Sequence, residues 1–236
     1  MVTPFYQDDM VTIYNRDCRD IIDSLAPFEI VLTDPPYGME YHSGYYKYGN
    51  PHSKLVGDAA YPVDVVSKLL QARRCLYLFC RWDNISDLPR AKSCIVWAKN
   101  NWSAGDLEHA YGRMWEACLF YPGLEHQFTK RPADVIYCDR VSPAKLSHPT
   151  EKPTNLLAQL ISVNVGGSVF DPFMGCGSTL VAAKRLGRKA IGIEIDRGYC
   201  EIAVDRLSQS ELFGAEIMES GAQAYNSRSL QCGLEI

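Results

Sequence analysis

Two short stretches carry residues whose types and spacing suit chemistry. The first is Asp34-Pro35-Pro36-Tyr37, directly after the apolar run Glu29-Ile30-Val31-Leu32-Thr33. Each proline disfavours helix in the residue before it, so Asp34 and Pro35 stay extended. Pro35 and Pro36 also have fixed φ and no N–H, which makes the corner stiff and rich in free acceptors. The Asp34 carboxylate and the Pro35 carbonyl can therefore both face an incoming NH₂ group, and Tyr37 offers a flat face on which a planar ring can stack. A Pro-Pro turn with a capping Asp is the purely structural alternative.

The second stretch is Val169-Phe170-Asp171-Pro172-Phe173-Met174-Gly175-Cys176-Gly177-Ser178-Thr179. A strand leads into a glycine turn and then a helix. Glycines are needed where backbone turns sharply or comes close to a ligand. Glu194 ends the next strand, about twenty residues on, where nucleotide sites keep the carboxylate that grips a ribose. A structural turn is the alternative for a lone Gly-x-Gly. Asp171 puts negative charge beside the loop, which disfavours a pyrophosphate and suits the ammonium of an amino-acid moiety. The pattern points to S-adenosylmethionine rather than NAD.

Both stretches need a sheet to position them, and the rest of the sequence supplies one. Val11–Tyr14, Glu29–Thr33, Cys75–Cys80, Cys94–Ala98, Trp115–Tyr121, Ser168–Phe170 and Ala190–Ile193 read as strands. Several are nearly all apolar, as in a parallel sheet covered on both faces. Arg19–Leu25, Pro62–Ala72, Pro153–Val163, Ser178–Leu186 and Gly198–Ser208 have helical spacing. Strands alternating with helices predict an α/β fold with helices on both faces. Residues 1–213 are expected to form a single domain with a mobile loop at 39–58 and an irregular inserted lobe at 122–147. The polar tail 214–236 is expected to be loosely held. Trp97, Trp102 and Trp115 read as packing residues.

Composition excludes several other classes. The 236 residues are 47% hydrophobic, ordinary for a globular chain, and no apolar run approaches a membrane span. The start, MVTPFYQDDM, carries acids where a secretory signal carries basic residues, so the cytoplasm is the expected compartment. The 9 cysteines form no Cys-x-x-Cys pair, which argues against a disulfide framework or zinc ribbon. A net charge of −4, from 24 basic and 28 acidic residues, argues against a general backbone-clamping nucleic-acid binder but allows a single nucleic-acid cleft.

With these marks in place, the chain resembles the amino-group DNA methyltransferases, which make N6-methyladenine or N4-methylcytosine. The resemblance rests on Asp34-Pro35-Pro36-Tyr37, on Asp171-Pro172-Phe173-x-Gly175-x-Gly177-x-Thr179, and on His148-Pro149-Thr150-Glu151-Lys152-Pro153. The catalytic motif precedes the cofactor motif, the permuted order of the β group, and the likeness runs over residues 10–210. It implies a seven-stranded, mostly parallel Rossmann-like sheet with its last strand reversed, and S-adenosyl-L-methionine across the carboxyl ends of the strands. It implies further that Glu194 holds the ribose hydroxyls and that Ile195 or Asp196 lies beside the adenine ring, with Asp17 and Cys18 at a turn touching it. His148, Thr150 and Lys152, together with Asp171, Pro172, Phe173, Gly175, Gly177, Ser178 and Thr179, would wall the methionine end, Phe173 packing near the sulfonium.

In such a site the base is flipped out of its stack and its amino nitrogen attacks the methyl in line. Asp at the first motif position favours adenine-N6 over cytosine-N4. The C5-cytosine reaction needs a Cys after a Pro, and no Pro-Cys dipeptide occurs. Double-stranded DNA is the expected partner, through Tyr41, Lys47 and Lys54 in one loop and Lys130, Arg131, Arg140 and Lys145 in the 122–147 recognition region. Glu125, Asp134 and Asp139 nearly balance that second set. A homodimer and a companion restriction endonuclease fit the β group. The rivals are an RNA substrate, a binding module that has lost catalysis, and a dinucleotide-dependent oxidoreductase.

Overall fold

The computed structural model describes residues 2–25, 28–37, 61–101, 111–141 and 151–212. Their strands are β1 (Tyr6–Gln7), β2 (Val11–Asn15), β3 (Ile30–Thr33), β4 (Cys75–Cys80), β5 (Ser93–Ala98), β6 (Trp115–Tyr121), β7 (Val135–Tyr137), β8 (Val169–Asp171) and β9 (Ala190–Glu194). The helices are α1 (Cys18–Ile21), α2 (Val63–Gln71), α3 (Thr154–Ser162), α4 (Ser178–Arg185) and α5 (Arg197–Leu212).

All nine strands join one sheet in the order β1-β2-β9-β8-β3-β4-β6-β5-β7. The seven from β2 to β5 in that order are the expected sheet. β1 and β7 are short additions at its two edges, and β1 lies antiparallel to β2. The reversed strand is β6, antiparallel to both β4 and β5, so the reversal falls in mid-chain rather than at the last strand of the sequence.

The apolar strands explain the layers. Ile30, Leu32 and Val169 face one core, shared with Leu156 and Leu160 of α3, Leu180 of α4 and Ala203 of α5. Val31, Leu76 and Leu78 face the other, with Ile21 of α1 and Val65, Val66 and Leu69 of α2. Successive strand residues point to opposite faces, so both sides of β3 and β4 are buried, as their all-apolar sequence requires.

The stretch 122–147 was expected as an irregular lobe apart from the core, and its described part is attached to the sheet. β7 pairs with β5, His126 meets the Phe120 ring edge-on, and Phe128 packs against it at a tilt. Asn164, buried past the end of α3, ties this region down: its Oδ1 accepts from Tyr77 Oη at 3.0 Å and lies 2.7 Å from His126 Nε2. The expected loop 39–58 and tail 214–236 lie outside the described residues. No helix among the described residues is long and apolar enough to cross a membrane.

Candidate active site

Chain order reverses between β8 and β3: β8 leads through α4 to β9 on one side, while β3 leads through α2 to β4 on the other. In open α/β sheets ligands bind at such a switch point, beyond the carboxyl ends of the strands. Here those ends border a cleft lined by Asp17, Cys18, Asp34, Pro35, Pro36, Tyr37, Lys152, Asp171, Pro172, Phe173, Gly175, Ser178, Thr179, Glu194, Ile195 and Asp196. Residues some 160 positions apart in sequence thus meet in one place.

On one side of the cleft, β8 ends because Pro172 has no N–H for the ladder. The chain folds back as the Phe173 amide donates to Asp171 Oδ1 at 3.1 Å, while Thr33 Oγ1 of β3 donates to the same oxygen at 2.7 Å. Gly177 has φ +76 and caps α4. A Cβ there would lie 2.7 Å from Ala203 Cβ of α5, so glycine lets α4 and α5 approach. Glu194 closes the loop: its Oε2 accepts from the Gly175 amide at 3.0 Å and its Oε1 from the Asp196 amide at 2.8 Å. Asp196 in turn caps α5, accepting from Gly198 N at 2.7 Å. Asp17 caps α1 and pairs with Arg19, and Cys18 beneath it is buried.

Burial pushes Glu194 up to about 7, against the lowering effect of its backbone bonds, and pushes Asp171 up to about 6 despite the hydroxyls of Thr179 and Thr33. No cation among the described residues pairs with either. Asp171 is buried and Glu194 half-buried, and both keep acceptor capacity to spare.

The other side of the cleft is charged and paired. Tyr37 Oη donates to Asp34 Oδ1, and Lys152 Nζ donates to Asp34 Oδ2. Lys152 also lies 3.3 Å from Glu116 Oε2 of β6, and Glu116 Oε1 pairs with Lys99 at the end of β5. Burial alone would raise Glu116, but Lys152 and Lys99 bring it down to about 2. Burial acts to lower Lys152, yet Asp34 and Glu116 hold it above the ordinary lysine value. Burial and then the neighbouring Asp34 raise Tyr37 well above its usual range.

Lys152 lines the cleft together with the glycine loop, and its ammonium sits on Asp34 and Glu116. Glu116 and Lys99 were missed by the sequence reading. The available signal was a lone acid in the otherwise apolar strand Trp115–Tyr121, since a charge buried there needs a partner. A second buried pair, Glu151–Arg206 at 2.7 Å, was also missed; Arg206 donates to the Cys176 carbonyl at 2.8 Å and to Ser178 Oγ at 3.1 Å, bracing the loop from α5. Ile195, 43% exposed, presents an apolar side chain at the cleft rim.

Among the described residues, the basic side chains expected to meet DNA are divided between the two ends of the sheet. Lys130 and Arg131 follow Thr129, whose amide bonds to Val163 past the foot of α3, at the end of the sheet remote from the cleft. Arg140 follows β7 at the cleft end and acts electrostatically on Lys99. Tyr41, Lys47, Lys54, Lys145, His148 and Thr150 lie outside the described residues.

Sheet order, glycine loop and cleft together define the S-adenosylmethionine-dependent methyltransferase fold. Residues 99–205 match the family model described as DNA methylase, N6_N4_Mtase. The type II methyltransferase M2.LlaDCHI of Lactococcus lactis subsp. cremoris is 45% identical over 69 residues, 28% of this chain and 26% of that protein. M2.DpnII of Streptococcus pneumoniae is 50% identical over 62 residues, 25% of this chain and 23% of that protein. The chain thus spans about a quarter of the length of the curated relatives it matches. Among solved structures, the M1.HpyAVI–SAM complex is similar at TM-score 0.62 and 27% identity, over 84% of this chain and 100% of that one. The cytosine-N4-specific PvuII DNA methyltransferase shares the fold at TM-score 0.62 and 13% identity, over 94% and 93%. These findings make the chain similar to the amino DNA methyltransferases over residues 99–205 and in its fold.

Proposed function

We propose that this protein transfers the methyl group of S-adenosyl-L-methionine to the exocyclic amino nitrogen of a base in double-stranded DNA, N6 of adenine in particular. The observation that carries the reading is the meeting of Asp34-Pro35-Pro36-Tyr37 with the glycine loop and Glu194 across one cleft. The family match and the similarity to a cofactor-bound methyltransferase support it.

The residues present fit that cofactor. Half-buried Glu194 and buried Asp171, without cationic partners among the described residues, suit a ligand with ribose hydroxyls and positive charge. When bound, the cofactor supplies an electrophilic methyl on a sulfonium. Glu194 would accept from the ribose hydroxyls, and Ile195 would pack on the adenine ring. On the facing side, Asp34 and the Pro35 carbonyl accept the two N–H bonds of the target amino group. That turns the nitrogen lone pair away from the ring and towards the methyl. Tyr37 holds Asp34 through its hydroxyl and borders the base pocket with its ring. As the nitrogen–methyl bond formed, the sulfonium's carbon–sulfur bond would break to leave a neutral thioether. The nitrogen would acquire positive charge that the Asp34 carboxylate would stabilise, and its surplus proton would pass to water. Catalysis is by positioning and electrostatics, without a covalent intermediate.

We read the described residues as one catalytic unit. The aromatic and basic stretch 39–54 and, within the region 122–147, Arg140 at the cleft end are its DNA contacts. Asp at position 34 favours adenine over cytosine. The test is incubation with labelled S-adenosylmethionine and duplex DNA, followed by mass spectrometry of the nucleosides. N6-methyladenine is the expected product. N4-methylcytosine would keep the mechanism and correct the base, whereas transfer to RNA alone, or to nothing, would overturn the reading.

A further inference from the structure

Four charged side chains from separate parts of the chain form a row that ends at Asp34. Lys99 of the β5 end pairs with Glu116 of β6; Glu116 lies 3.3 Å from Lys152, just before α3; Lys152 pairs with Asp34, just after β3. The signs alternate and cancel. Both lysine side chains are nearly buried, 4% exposed at Lys99 and 8% at Lys152. Lys152 Nζ also stands 5.0 Å from the centre of the Phe79 ring on β4, which fixes it from below.

Such a row is a poor device for stability. Taking charges out of water is unfavourable, and well-packed apolar residues of the same volume commonly stabilise as well or better. What it does supply is definition. With Tyr37 on one oxygen and Lys152 on the other, the Asp34 carboxylate is fixed in plane and direction. Glu116 sits within reach of the same ammonium, so Lys152 can share its charge with Glu116 when an amino group engages Asp34. Lys99 keeps Glu116 in place for that exchange.

We propose that Lys152, shared with Glu116 and backed by Lys99, is a positioning residue for the transfer step: it fixes the Asp34 carboxyl in direction as an acceptor for the target amino group and does not hold the cofactor. This rests on the methyl-transfer reading above and adds three residues to it.

The test compares Lys152→Met, Lys152→Arg and Glu116→Gln with wild type, measuring cofactor affinity by calorimetry and single-turnover transfer to duplex DNA at saturating cofactor. Misplacing a reacting group by about 1 Å can lower a rate by about a hundredfold. Lys152→Met should therefore slow transfer by roughly ten- to a hundredfold, Glu116→Gln by less, and Lys152→Arg should recover part of the loss. Cofactor affinity should stay within about twofold of wild type, because the row touches none of the groups that would hold the cofactor. The reverse pattern, weakened cofactor binding with an unchanged saturated rate, overturns the proposal. If Lys152→Met does not fold, Glu116→Gln decides alone, since it keeps the volume, and an unchanged transfer rate in it also overturns the proposal. Wild-type protein that transfers no methyl to DNA would reject the underlying reading and this inference together.

Discussion

The two sides of the cleft solve opposite electrostatic problems. On the glycine-loop side, half-buried Glu194 and buried Asp171 are held by N–H and O–H donors and raised to about 7 and about 6. On the other side, Asp34 and Glu116 are matched by Lys152 and Lys99, and Glu116 falls to about 2. Carboxylates left without a cation suit a ligand that brings positive charge with it. A charge-balanced pocket suits a neutral base whose nitrogen becomes positive only during reaction. On the proposed reading the difference assigns binding and chemistry to different walls, so substitutions should separate them.

The largest effect expected is on the balanced wall. Asp34→Ala removes the acceptor of the amino group and should lower transfer by about a hundred- to a thousandfold, the scale of losing one group aimed at transition-state charge. Single-turnover rates with cofactor saturating would check it. Next comes the loop wall: Glu194→Gln should weaken S-adenosylmethionine binding by about ten- to a hundredfold, as expected for losing a charged hydrogen-bond acceptor. Calorimetry would also show wild-type affinity rising with pH near 7 as Glu194 ionises, and the Gln variant would lack that rise.

A packing substitution sharpens the same contrast. Gly177→Ala forces a side chain onto φ +76 and against Ala203 of α5, and should destabilise the fold by about 1–3 kcal/mol in denaturant unfolding. The smallest effect is a slope. Glu194 has an ordinary value of 4.5 and a folded value of about 7, so the folded state binds more protons than the unfolded state between them. That contribution to stability is fully present below about 4.5 and is lost as pH rises towards 7. Glu194→Gln should therefore flatten the decline in Tm across that window, and an unaltered slope would show that Glu194 is not held protonated.

Most of the sheet was legible because its strands are apolar on both faces: Cys75–Cys80 and Trp115–Tyr121 have the bounds their residues suggest. The edge strands were not. Tyr6–Gln7 is too short to show a period, and Val135–Tyr137 lies among polar residues that obscure it. The cleft walls at Asp34 and Gly175 were legible because Pro and Gly restrict backbone in recognisable ways. The ion row was not, because an ion pair between β6 and the segment before α3 depends on tertiary contact and leaves no local pattern. For the same reason Lys152 was legible as part of a motif, but its pairing with Asp34 and Glu116 was not.

The most direct measurement of the two-wall account is cofactor calorimetry paired with single-turnover methyl transfer to duplex DNA for Asp34→Ala and Glu194→Gln. The account predicts that Asp34→Ala binds S-adenosylmethionine like wild type and transfers almost nothing, while Glu194→Gln binds weakly and transfers at a near-wild-type rate once saturated. Parallel loss of binding and transfer in both folded variants would contradict it.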